Sequence, residues 1–128
     1  MNSDLYRNRI DWKAIMDVCG YEDMVNEVIR SSLEDALESA RLLAEAVDSG
    51  RANDTALYAH RLKGVALVMG ANRLALIAEQ LEHAGEAKHL EASAPILADL
   101  QAELQQVADF LSQENWMDIA KQQAADVV

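Results

Sequence analysis

The chain has 128 residues, 51% of them apolar, which suits one domain around one core, and it carries a net charge of −11. Such an acidic surface makes nucleic acid and anionic membrane poor partners, and favours solubility and attraction to a basic patch on another protein. Cys19 is the single cysteine, so no internal disulfide can form, and no apolar run approaches the ~20 residues of a membrane span. With polar and charged first residues in place of a signal-peptide core, a reducing, cytoplasmic setting is expected.

Ala, Leu, Glu and Gln dominate, while β-branched and aromatic residues are sparse, so the predicted class is all-α. A short first helix begins near Asp11, whose carboxylate can cap it, and Gly20 ends it. The second runs from about Glu22 to Asp48. Val25, Val28, Ile29, Leu33, Leu37, Ala40, Leu43 and Val47 keep helical spacing along it, and Gly50 stops it. The third is expected to start at Asn53 or Asp54, both good N-caps, and to end before Gly70. The fourth carries Leu74, Ile77, Ala78 and Leu81 on one face and ends near Gly85, followed by a charged connection from Glu86 to Glu91. Ser93 and Pro95 read as the start of a fifth, since proline is tolerated in a first turn, and Leu97, Leu100, Leu104, Val107 and Leu111 form its stripe. Asn115 breaks it, leaving Trp116 to Val128 room for a short sixth.

Four substantial helices with short links predict an antiparallel four-helix bundle, with a short N-terminal helix and space for a short C-terminal one. The predicted domain is single, 1–128, with its bundle core at about 21–112 and 113–128 as an extension.

At about 100° per residue, Tyr58, Leu62, Val65 and Met69 fall on one side of the third helix, and His60 lies on the opposite side. An imidazole shown to water, with Lys63 one turn on and Gly64 just after, is a candidate nucleophile. Asn53, Ala56, Leu57, Arg61, Leu67 and Val68 share its face. Leu57, Leu67 and Val68 are unusually apolar for a solvated surface, so the set reads as a docking patch, with partial burial under a neighbouring helix as the alternative.

His60-x-x-Lys63-Gly64 resembles the signature of the histidine-containing phosphotransfer (HPt) domain family. The similarity continues through Met69-Gly70-Ala71 and Leu74 to Leu81-Glu82, and upstream through Ile10-Asp11 and Gly20-Tyr21-Glu22-Asp23-Met24-Val25, covering roughly residues 10 to 112. The resemblance implies a relay protein in a multistep phosphorelay. It would accept phosphoryl on His60 from a receiver-domain aspartate and pass it to another, with response-regulator receiver domains and a hybrid histidine kinase as partners. Mg²⁺ would sit on the receiver, and this chain would need no cofactor.

In that chemistry His60 attacks through a ring nitrogen. Lys63, about 60° away and one turn along, can reach the phosphoryl oxygens. Gly64, about 40° away, leaves space for a partner backbone, at a helix cost of roughly 1 kcal/mol against Ala; the competing reading is close helix packing. Glu82, at the core boundary of the fourth helix, is the candidate that fixes the histidine tautomer, against the alternative of a solvated Glu. His83 and His89 are expected to have no chemical role. Glu86-x-x-His89 has di-iron spacing, but only one such pair exists, so no metal is expected. No Walker-type loop and no Ser/His/Asp or Cys/His set is found, so the expected activity is a carrier's, without its own ATP site.

Three rival readings remain: a helical-bundle adaptor that binds receivers without relaying, an HPt module of a larger sensor kinase, and a metal-binding bundle enzyme. Met1 and the C-terminal segment favour a complete short protein, expected to be monomeric.

Overall fold

The computed structural model describes residues 9–126, so both ends of the predicted 1–128 domain lie outside the described residues. Among the described residues there are six α-helices and no strand: α1 (Trp12–Cys19), α2 (Val25–Asp48), α3 (Ala52–Val68), α4 (Asn72–Glu86), α5 (Ser93–Leu111) and α6 (Trp116–Asp126). Single 3₁₀ turns at Glu22–Met24 and Leu90–Ala92 lead into α2 and α5. Helix α3 packs on α2 and α4, α4 on α5, and α5 returns to α2, which closes the bundle. No helix among the described residues is long and apolar enough to cross a membrane.

The start of α1 is tied to the α3–α4 turn. Asp11 caps α1 through its carboxylate, which accepts from the Ala14 N–H at 3.2 Å. The Asp11 N–H donates to the Gly70 carbonyl at 2.8 Å, and Asn72 Nδ2 donates to the Asp11 carboxylate at 3.1 Å. Gly70 has φ +70°, and a Cβ there would stand 2.6 Å from the Asp11 carbonyl oxygen. Only glycine suits both the left-handed backbone and that close approach.

Three details differ from the sequence expectation. Helix α3 begins one to two residues before Asn53 and Asp54, with Arg51 at its N-cap and no side-chain cap bond. Asp54 lies in the first turn and pairs with Arg51 at 3.2 Å, where its charge also complements the helix dipole. On α2, Leu37 is 49% exposed, while Ser32, Ala36, Ser39 and Ala46 are buried beside Val25, Ile29, Ala40 and Leu43. Small residues fill that face because neighbouring helices come close to it. On α3, Leu62 and Met69 are fully buried as expected, but Tyr58 and Val65 are only partly so. The buried face is centred nearer Thr55, Ala59 and Ala66, which are at 0% exposure.

The stripes of α4 and α5 are buried as their periodicity predicts at Leu74, Ile77, Ala78 and Leu81, then Leu97, Leu100, Leu104 and Val107, whereas Leu111, the last residue of α5, is only partly buried. The C-terminal helix packs on the bundle. Trp116 is 6% exposed and stands edge-on to Trp12 and Phe110, with ring centroids 6.4 Å apart in both pairs. Lys121 lies 5.3 Å over the Trp12 ring and pairs with Glu22. Glu103 of α5, 5% exposed, meets Arg9 at 2.7 Å and Arg73 of α4 at 3.2 Å. This ion cluster around the buried Glu103, invisible in local patterning, joins the segment before α1 to two bundle helices.

Candidate functional site

His60 stands in the middle of α3 with 65% of its side chain exposed. Its position follows from the helix phase, because the residues that anchor α3 lie on the far side of the helix. The fourth helix supplies the group that holds it. His60 Nδ1 is 2.7 Å from Glu82 Oε2, and Lys63 Nζ is 2.9 Å from Glu82 Oε1. The two carboxylate oxygens thus serve two residues one turn apart on α3.

Glu82 can reach them because its neighbour Leu81 is fully buried, which turns Glu82 to the α3–α4 seam with its side chain 13% exposed. Burial pushes the Glu82 carboxyl upward, but the bonds from Lys63 and His60 and their charges outweigh it, so the group sits below the usual carboxylate range. Glu82 in turn holds the Lys63 ammonium above its usual value against partial desolvation, with further help from the charges of Glu79 and Glu86.

An ionised carboxylate only accepts hydrogen bonds, so Nδ1 must carry the proton that it donates to Glu82. In the neutral ring the lone pair is then on Nε2, the nitrogen that Glu82 does not engage. Such an arrangement can offer Nε2 as a nucleophile on a mostly exposed side chain, with a negative counter-charge at Nδ1 and the Lys63 ammonium on the same carboxylate.

The structure also locates the other residues of this face. Gly64 is exposed, and a Cβ built on it would meet nothing within 4 Å. Leu57 and Leu67 are each about half exposed, and Arg61 is exposed. Val68 and Ala56 are half-buried. Ala56 lies at the α3–α4 seam against Gly85, so it belongs more to helix packing than to an open patch. Two features were not anticipated. Arg61 rests 5.8 Å over the ring of Tyr58, and Glu79 and Glu86 flank Glu82 on α4. The spacings i,i+3 and i,i+3,i+7 carry both signals in the sequence.

Away from α3, His83 is exposed, and His89 faces Glu91 at 3.4 Å rather than Glu86. Among the described residues no three His, Cys, Asp or Glu side chains converge as a metal set.

No curated protein matches the chain. Among solved structures, the crystal structure of histidine-containing phosphotransfer protein B from Pseudomonas aeruginosa PAO1 is similar, with a TM-score of 0.77. The two are 24% identical over 85% of this chain and 96% of that one, a likeness of fold. The family model of the Hpt domain matches residues 27–110, from early α2 to the end of α5, and the match takes in His60, Lys63 and Glu82. Since that span is more than half of the chain, this protein belongs to the Hpt domain family.

Proposed function

We propose that this protein is a carrier in a multistep phosphorelay, which accepts a phosphoryl group on His60 from an aspartate of one receiver domain and passes it to an aspartate of another. Membership of the Hpt family supports the histidine phosphotransfer role. The observation that carries the assignment to His60 is the 2.7 Å bond from its Nδ1–H to Glu82, which leaves Nε2 as the nucleophile.

In the forward step the Nε2 lone pair attacks phosphorus. The bond between phosphorus and the aspartyl oxygen breaks, and the donor carboxylate leaves with that electron pair. The ring keeps its Nδ1 proton and becomes a phosphorylated imidazolium. Its positive charge develops against the Glu82 carboxylate, which is already in place and needs no reorganisation. The reverse step, onto a second aspartate, returns the neutral imidazole. Lys63 is within one turn, and by turning from Glu82 Oε1 toward Nε2 it can place its ammonium on the phosphoryl oxygens. Leu57, Leu67 and Val68 supply apolar contact around the nucleophile, with Gly64 leaving room for the partner's backbone and Arg61 at the edge.

No step in this scheme draws on a nucleotide. The Mg²⁺ of the reaction belongs to the receiver. The proposed partners are response-regulator receiver domains and a hybrid histidine kinase, and the proposed state is a cytoplasmic monomer.

The test is incubation with radiolabelled phosphorylated receiver domains from the same genome, taken one at a time. Transfer of label to the wild type and not to His60→Gln is the expected result. Receiver binding without any transfer of label would favour the adaptor reading and defeat this one.

A further inference from the structure

The face around His60 is electrically uneven. At about 100° per residue, Arg61 lies about 100° to one side of His60 and Lys63 about 60° to the other. The Lys63 side is the α4 side, as the ion pair with Glu82 shows. There a single ammonium pairs with Glu82, and Glu79 and Glu86, one turn to either side of Glu82 on α4, add two further negative charges nearby. The excess charge on that flank is negative. The Arg61 flank carries a guanidinium.

Among the described cations, Arg61, like Lys13, Arg30 and Lys88, has no carboxylate partner, and of these four it is the one on the His60 helix. Arg9, Arg41, Arg51, Lys63, Arg73 and Lys121 each meet a carboxylate. Arg61 meets none among the described residues, although acidic residues outnumber basic ones 22 to 11. It is held instead by the face of Tyr58, one turn back. An aromatic face restrains a guanidinium without neutralising it, so all five N–H donors stay available to a partner. The ring also reduces the side-chain freedom that binding would otherwise remove.

We infer that this polarity fixes the orientation in which a receiver docks: Arg61, positioned by Tyr58, takes an acidic group on one side of the receiver's rim, and the Glu79 and Glu86 flank takes a basic group on the other. The inference rests on the phosphorelay reading above. It concerns recognition, not the chemistry at Nε2. A receiver approaching half a turn round would set like charges opposite each other on both flanks. Such juxtapositions reject wrong arrangements more strongly than matched ones add affinity.

The experiment measures initial transfer rates against concentration of a receiver domain charged with radiolabelled acetyl phosphate, for wild type and four variants. Arg61→Glu should raise the half-saturating receiver concentration about tenfold at low salt, with little change in the saturated rate or melting temperature. The gap should close as ionic strength approaches ~1 M, where the screening length falls to about 3 Å. Arg61→Lys should recover most of the affinity. Tyr58→Phe keeps the ring face and should behave as wild type, whereas Tyr58→Leu should weaken binding part of the way toward Arg61→Glu. Half-saturation unchanged in Arg61→Glu, a loss independent of salt, or a loss that tracks the unfolded fraction overturns the inference. Absence of label on wild-type His60 from every receiver overturns the phosphorelay reading itself. Labelled wild type with an indifferent Arg61→Glu overturns the orientation inference alone.

Discussion

Gly85 of α4 lies so close to Ala56 of α3 that a Cβ on the glycine would stand 2.6 Å from the Ala56 amide nitrogen and 2.8 Å from the Ala52 carbonyl oxygen. Gly64, on the exposed face of the same α3, would place a Cβ in open space. Close helix packing therefore accounts for the first glycine and not for the second.

The two positions should respond oppositely to the same methyl group. Gly85→Ala should destabilise by about 1–3 kcal/mol, since backbone must move to admit it. Gly64→Ala should preserve stability or raise it by up to about 1 kcal/mol, while slowing phosphoryl transfer. Gly64→Gln should keep the helix and block transfer almost completely. Melting temperature and phosphoryl acceptance on these variants decide the matter. Stability and transfer falling together in the Gly64 variants would defeat the docking role.

His60→Gln should fold with a melting temperature close to wild type, because the side chain is mostly solvent-exposed. It should accept no label. Acid-labile, alkali-stable label on the variant, traced to His83 or His89, would remove His60 from the mechanism.

Lys63→Ala should slow transfer without abolishing it, by roughly 1.5–3 kcal/mol for one charge-assisted contact. Glu82→Gln keeps an oxygen to accept from Nδ1–H but removes the charge beside it, so it should retain acceptance at a reduced rate. The pH profile of stability carries the sign of the Glu82 shift. Its carboxyl lies lower in the folded protein than its ordinary 4.5. The stabilisation is therefore fully present above that value and is lost as pH falls through the lower folded value. Denaturant titrations should find the gap between wild type and Glu82→Gln shrinking as pH falls below about 5. A gap that grows on acidification would contradict the ion-pair geometry.

Leu57→Glu and Leu67→Glu should leave the melting temperature nearly unchanged, since both side chains are about half exposed. Receiver affinity should fall by about 1–2 kcal/mol, or roughly tenfold. Calorimetric titration with a receiver domain measures it. Unaltered affinity in both would remove the apolar patch from the interface.

Trp116→Ala should cost about 3–5 kcal/mol, the usual range for emptying a buried aromatic site. The ring is buried between Trp12 and Phe110, so its loss should loosen α1 together with α6. Hydrogen exchange should show both helices losing protection. A variant as stable as wild type would mean that α6 rests on the bundle without supporting it.

Much of this protein follows from local chemistry in the chain. Asp11 caps α1, Gly20, Gly50 and Gly70 follow helix ends with positive φ, and Pro95 lies in the first turn of α5. The spacings of Leu74 to Leu81 and Leu97 to Val107 mark faces that are indeed buried. The opposition of His60 to Leu62 and Met69 is likewise a matter of helical phase.

The tertiary structure decided which neighbour each face receives and how closely it approaches. Leu37 fits the periodic stripe yet is half exposed, while Ala36 and Ser39 are buried. Small side chains permit close helix contact while carrying little hydropathy signal of their own. Ala56 has the angle of a surface residue and the surroundings of a packing seam, because Gly85 brings α4 against it. Glu82 is 22 positions from His60 in the chain, and only the α3–α4 packing brings its two oxygens to Nδ1 and to Lys63. Helical period sets direction around a single axis; the distance between two axes, which decides whether Glu82 reaches the His60 ring, is set by the side chains of both helices at once.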